Sequence, residues 1–424
     1  DLAAASGEPA LEARATAALH FALLDQHSAS ERLRFATRLL VGAEKAGDDR
    51  FAADARFWRY LDLVELGRTG DAEAELLRLE HLADRLGEPR RRYQALYLRA
   101  GLDIHQCRFD RAEQNATRAL DLGMSIGVGD AELTYLTAIS VVCFVRNDLA
   151  RIAEIHREIT ARRTHFPQAH HGSPILLAWQ GRARTAKDDL TTALEGGLDT
   201  IQRGPDWLGT MQTLAWSAIE LNDPRLCGSL YERLRRHAGR TVVHHLGAAI
   251  GRRETRPLAT RAPRLGRFEE AEAHFAEAVT LARASRGSWD LLFLPLEQAT
   301  LRLARGADRD DPDVTRLLTE SLDLAREAGA ALVEQRVSAL HPALADAADA
   351  RARAAVPYRF QRRDTGWSIA FGTRECALPD GRGLHFIAAL LRRPGQEILA
   401  ADLIAEVTGE DGVDAETARQ RVTQ

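Results

Sequence analysis

The chain has 424 residues, with 57 Lys and Arg against 61 Asp and Glu, a length that exceeds one ordinary core and calls for several domains or a repeat array. A net charge of −4 and an isoelectric point of about 6.4 exclude a global positive field that would gather nucleic acid or an anionic membrane surface, so any DNA contact must be local. No apolar run reaches the ~20 residues that cross a bilayer, and a composition rich in Ala, Leu, Arg and Glu points to helices.

Taken in chain order, the first signal is a period. Gly47 (EKAGDD), Gly87 (DRLGEP) and Gly127 (SIGVGD) each follow an amphipathic run at intervals of 40 residues, and Gly287 (SRGSWD) keeps the phase. Glycine at such a place ends a helix by accepting the left-handed conformation. Within the first periods, Leu76, Leu79, Ala83 and Leu86 recur at helical steps and predict one buried face. Gly70-Asp71-Ala72-Glu73 is a weak copy of a second marker, Arg108-Phe109-Asp110-Arg111-Ala112-Glu113, which returns as Arg267-Phe268-Glu269-Glu270-Ala271-Glu272. It reads as a turn, an acidic first helical turn that suits the helix dipole, and a small Ala where a neighbouring helix comes close.

Further pairs are predicted over 131–145 with 149–159, 175–184 with 190–194, 211–221 with 226–234, and 291–303 with 314–325. No pair buries its apolar stripe alone, so neighbours must stack. Between Gly251 and Leu265, five arginines with Pro257 and Pro263 leave two options, a broken helix or a basic loop. Near the end, alternation in Trp367, Ile369 and Phe371, a Gly372-Thr373 turn and a run to Leu378 predict a β-hairpin; helices over 384–391 and 400–407 follow, separated by Pro394-Gly395. The fold class is therefore all-α, a TPR-like helical-repeat solenoid over 1–355, with a small α+β winged-helix-like module over 356–424. The start at Asp1 without Met, and a last helical pattern over 416–424 without a stop signal, predict a fragment of a longer protein. Cys107, Cys143, Cys227 and Cys376 form no CxxC pair, which fits free thiols in a reducing cytoplasm.

The phrases Leu230-Tyr231-Glu232-Arg233-Leu234 and Gly266-Arg267-Phe268-Glu269-Glu270-Ala271-Glu272-Ala273-His274-Phe275, with Phe360-Gln361-Arg362-Arg363 and Leu390-Leu391-Arg392-Arg393-Pro394-Gly395 in the tail, resemble the C-terminal region of large bacterial STAND/LuxR-type ATPase transcriptional regulators. The resemblance covers nearly the whole chain. It implies a sensory TPR-like region that relays a signal between an ATPase, in some relatives preceded by a nucleotide-cyclase domain, and a DNA-binding module. The segment 251–265 departs from the family, whose members carry an apolar helix there. In a response-regulator winged helix the next element enters the major groove; here it would begin near Asp414, which makes Arg419 and Arg421 the candidate DNA contacts.

Motifs for chemistry are missing. Lys45 and Lys187 are the only lysines and neither stands in a P-loop, Gly127-Val128-Gly129 continues without a third glycine, and no G-x-S-x-G or H-E-x-x-H occurs. His165, His170 and His171, with His156 a helix away, read as a polar loop, and His244-His245 as a similar exposed pair. No enzyme activity, cofactor or metal is expected. Trp58, Tyr60, Tyr93, Tyr97, Tyr135, Trp179 and Trp216 fall on the first helix of successive pairs, which lines the concave face of such arrays. Core packing is the common role of such rings. The alternative is a groove of Arg56, Trp58, Arg59, Tyr97, Tyr135, Trp179 and Trp216, with Arg56, Arg59 and Arg99 able to hold an anion or a partner's carboxylates. The expected occupant is a protein partner or a small-molecule inducer; a constitutive protein scaffold, or an accessory region of a cyclase-bearing protein, stands as the alternative.

Overall fold

Ser28 opens helix α1 (Ala29–Ala46) with a capping box: its hydroxyl accepts the Glu31 N–H at 3.3 Å while its own N–H donates to the Glu31 carboxylate at 3.2 Å. Gly47, Gly87 and Gly127 sit at helix ends with φ of 65°, 66° and 69°, the conformation that the repeat spacing predicted. A computed structural model describes residues 28–162, 171–201, 203–204, 206–253, 266–285, 288–347, 359–363, 366–371, 374–393 and 398–408, with positions 11, 15 and 18–20. Gly287, His165, His170, the basic stretch 254–265, and Arg419 and Arg421 lie outside the described residues.

Two units are present, Asp1–Pro342 and Ala343–Gln424. The first continues with α2 (Asp49–Glu65), α3 (Thr69–Leu86), α4 (Pro89–His105), α5 (Phe109–Ser125), α6 (Ala131–Arg146), α7 (Leu149–Ala161), α8 (Ser173–Trp179) and α9 (Ala183–Ala193). After α10 (Trp207–Glu220) and α11 (Pro224–Leu234) comes a β-hairpin, β1 (Thr241–His244) and β2 (Ala249–Arg253). The unit then resumes with α12 (Phe268–Ser285), α13 (Ser288–Ala304), α14 (Pro312–Ala328) and α15 (Ala331–Leu340). The marker alanines do what small residues do at a close approach: Ala72, Ala112 and Ala271 are buried in the first turns of α3, α5 and α12.

Two kinds of helix alternate. In α5 only Phe109, Ala112, Ala116, Ala119 and Gly123 are buried, a single stripe at helical spacing. In α4 burial runs almost all round, from Tyr97 without interruption to His105, as for a helix covered on every side. The cover is the hairpin, which packs against α2, α4, α6, α10 and α13. Its strands pair antiparallel with Val243 opposite Ile250 and His244 opposite Ala249. At the tip two backbones meet: a Cβ on Gly101 of α4 would stand 2.1 Å from the Gly247 carbonyl oxygen, and Gly247 itself has φ 104°. The array also meets itself through α15, where the Gln335 side-chain Oε1 accepts from Asn147 Nδ2 at 3.1 Å and Arg336 donates to Glu220 of α10 at 3.1 Å.

Three sequence expectations are corrected. The segment leading to Arg253 is a strand and neither a helix nor a loop up to that point, because it pairs with the β-branched run, Thr241 opposite Arg253 and Val243 opposite Ile250, with Thr241, Val242, Ala249 and Ile250 buried. The pair expected over 175–184 and 190–194 breaks instead at 180–182, with Gly181 at φ 73°, giving helices over Ser173–Trp179 and Ala183–Ala193. His244 and His245 are not exposed loop residues; they belong to the hairpin and face the interior. Cys143 and Cys227 are buried, Cys376 is exposed, and burial pushes the Cys107 thiol up to about 12.

The second unit is a meander of β3 (Arg359–Arg363), β4 (Gly366–Phe371) and β5 (Arg374–Pro379), with α16 (Arg382–Leu391) and α17 (Ala400–Thr408). The expected hairpin is β4 and β5, with Trp367 opposite Leu378, and β3 adds a strand on its far side. The protein is thus a TPR-like helical-repeat solenoid with a small α+β module.

Candidate functional site

The hairpin leaves part of the inner face open. Between α6, α8, α10 and the strands lies a cavity of about 220 Å³, entirely within the first unit. One end is aromatic. Phe144 stacks on Trp179 at 4.0 Å with the rings 24° apart, meets Trp216 edge-on at 6.2 Å, and leads through Phe293 to Trp289 at 5.4 Å. These rings converge because α6, α8, α10 and α13 each present an inner face here. Trp179 Nε1 is buried with no hydrogen-bond partner.

The other end is polar and is built by the hairpin tip. His245 faces carboxylates at both ring nitrogens, Asp130 at 3.5 Å and Asp206 at 3.7 Å, distances of ion pairs rather than of full hydrogen bonds. Burial alone would lower its pKa, but these two carboxylates outweigh that and raise it to about 9. His245 and Leu246 hold φ of 45° and 50°, a left-handed turn that costs bulky residues energy and that points His245 back between the N-termini of α6 and α10. Asp130 and Asp206 precede those helices, and His245 holds the Asp130 carboxyl below its ordinary range. Burial works against ionisation of Asp206, yet His245 brings it below its ordinary value as well. Asp206 Oδ1 nevertheless has no hydrogen-bond partner.

His244 is the opposite case. Burial lowers its pKa to about 4, against a weaker pull from Asp206, so the ring is neutral. Gln212 Oε1 lies 3.3 Å from Nε2; as an amide oxygen it only accepts, so Nε2 carries the proton and Nδ1 is an acceptor. The ring fits between two glycines: a Cβ would come within 2.9 Å of Nδ1 from Gly209 and within 2.7 Å of Nε2 from Gly251.

Of the predicted groove residues, Trp179 and Trp216 line this cavity and the others do not. Arg56 pairs with Glu44 at 2.9 Å and Glu75 at 3.0 Å, and Arg59 reaches Glu75 at 3.3 Å, so both guanidiniums are engaged by the chain's own carboxylates, although Arg59 Nε is buried without a partner. Arg99 is held by Glu80 at 2.8 Å. Trp58 packs on His20 at 4.8 Å, Tyr97 is buried in the core that also takes Ile250, and Tyr135 is half-buried on α6. Of the predicted histidine loop, His171 lines the cavity, and His156 bonds Ser173 at 2.9 Å. Sequence reasoning missed Asp206, His244, His245 and Trp289; the one available signal was the β-branched run Thr241-Val242-Val243.

In the second unit, Phe360, Arg362, Trp367, His385, Arg392 and Glu406 are among the residues lining a polar cleft. Asp380 organises its edge, accepting from Trp367 Nε1 at 2.8 Å and Arg362 at 2.9 Å. Among the described residues no cluster of three His, Cys, Asp or Glu is spaced to hold a metal, and no helix is long and apolar enough to cross a membrane.

No family model matches the sequence, and no curated protein matches it significantly. Among solved structures, a Rap protein complexed with competence and sporulation factor is similar at 13% identity and a TM-score of 0.48, over 79% of this chain and 99% of that one. At those values the likeness bears on neither ligand nor chemistry.

Proposed function

We propose that this chain is the sensory and scaffolding region of a larger cytoplasmic bacterial transcriptional regulator, in which a small effector binds the inner cavity and its occupancy is relayed to ATPase and DNA-binding parts. The observation that carries this reading is the makeup of the cavity wall: five of its residues, His244, His245, Ala249, Ile250 and Gly251, belong to the hairpin, and the hairpin touches five helices of the array. An occupant that favours one hairpin position biases all of them. The array does no chemistry of its own. Three of the lining hydroxyls support that, since Thr213, Thr137 and Ser140 donate to carbonyls of their own helices at 2.9, 2.8 and 2.9 Å. The three-stranded sheet and two helices of the second unit support a winged-helix-like role for the tail.

A second reading is a scaffold whose inner face receives an extended segment of a partner protein, either constitutively or as an accessory to a cyclase. One observation favours it: that face already accommodates an extended segment, the chain's own hairpin. Thermal melting against a panel of small molecules, beside pull-down of partner proteins, separates the two. The effector reading expects a compound that raises the melting temperature and loses its effect in Trp216→Ala; at about 100 times its Kd the gain is about 2.7 kcal/mol. Partners captured equally well with and without every stabilising compound would favour the scaffold.

A further inference from the structure

We propose that the cavity takes a cationic aromatic molecule, an arylalkylamine with one bicyclic ring system, whose rings lie among Phe144, Trp179 and Trp216 and whose ammonium meets Asp206. This rests on reading the cavity as an effector site and names the class of effector.

Size comes first. A dry cavity of about 150 Å³ takes up benzene, so the 220 Å³ here has room for one fused pair of rings. The aromatic end supplies ring faces, which attract cations through their quadrupole as well as stacking on a flat ligand. Trp179 Nε1 adds a buried donor without a partner.

Charge selects the sign. The chain has 57 Lys and Arg, yet among the described residues none lines this cavity, and Asp206 is the one carboxylate there. An anionic ligand would find no guanidinium to receive it. The imidazole of His245 does not take that place, because each of its nitrogens already faces a carboxylate. His245 is shared between Asp130 and Asp206, and the Arg90 guanidinium also acts on Asp130. The remaining acceptor is specific: Asp206 Oδ2 faces His245, while Oδ1 is buried and unpartnered. A buried acceptor left unsatisfied carries a desolvation cost that an N–H donor from the ligand would remove. Nδ1 of His244 presents a second acceptor at the same end.

The test is a titration of the full chain, by calorimetry and tryptophan fluorescence, with three probes that share one ring system: tryptamine, indole-3-propionate and 3-methylindole. Tryptamine is expected to bind about tenfold or more tighter than indole-3-propionate, the margin of one charge-assisted contact. Asp206→Asn should remove that preference and leave 3-methylindole within about threefold of its original affinity. The comparison between amine and acid is made on the unaltered chain, so it stands even if the variant folds poorly. Equal or tighter binding of the acid, or an amine preference unchanged in Asp206→Asn because Oδ1 merely holds water, overturns the cationic assignment while binding of the indoles upholds the effector site. If none of the three probes binds, the effector site and the cationic assignment both fall.

Discussion

His245 occupies the hairpin tip in a left-handed turn, and its charge is worth more to the folded chain than to the unfolded one. Its pKa is raised from 6.5 to about 9, so its contribution is complete below about pH 6.5 and disappears as pH climbs through about 9. His244, lowered from 6.5 to about 4, contributes fully above about pH 6.5 and is lost as pH falls through about 4. The two slopes oppose each other and leave the hairpin most secure near neutrality. Urea melts at about pH 5, 7 and 9.5 should therefore show a maximum at the middle value. His245→Gln should lower the neutral maximum and flatten the alkaline limb, by an amount on the order of 1–3 kcal/mol. An alkaline limb unchanged in that variant would mean that Asp130 and Asp206 do not hold His245 charged. None of this was legible in the sequence, where His244-His245 read as a loop pair, because their partners lie far off at Asp130 and Asp206.

At the scale of elements, the hairpin is the part on which the inner layer depends. Outer helices such as α5 bury one stripe, but α4 and α6 are covered nearly all round, and the extra cover comes from β1 and β2. Contact is closest where Gly101 meets Gly247. Gly101→Ala would press a methyl group into a backbone carbonyl and Gly247→Ala would add left-handed strain, so each should cost about 1–3 kcal/mol in urea unfolding. Gly42→Ala is the internal control. Gly42 lies within α1 and its added Cβ meets nothing within 4 Å, so the change should stabilise by about 0.5–1 kcal/mol. Equal effects at Gly42 and Gly101 would show that the hairpin does not seat against α4 as described.

For the whole molecule, the division at Pro342 and Ala343 makes a clear demand. Every residue lining the cavity, from Leu133 to Trp289, belongs to the first unit. A chain ending at Pro342 should keep its main melting transition to within about 1 kcal/mol, since each compact unit carries its own packing. It should also respond to any cavity ligand as the full chain does. A ligand response that vanishes on removing 343–424 would mean that the second unit takes part in the site.

What the sequence determined by itself is what short-range chemistry encodes. The 40-residue period, the left-handed glycines at 47, 87 and 127, the small alanines at 72, 112 and 271, and the tail hairpin from Trp367 to Leu378 all follow from contacts within a few residues. The aromatic rings were likewise visible on alternate helices, although which of them meet was not. Only the tertiary structure decided that the inner face is filled by Thr241–Arg253, that Trp179 and Trp216 share a cavity with Trp289, and that His244 is neutral while His245 is charged. Those outcomes depend on partners such as Gly101 and Gly247, or Asn147 and Gln335, separated by more than a hundred residues. Contacts at that range impose no period on the chain, so they are set by which surfaces remain to be covered once the helices have stacked.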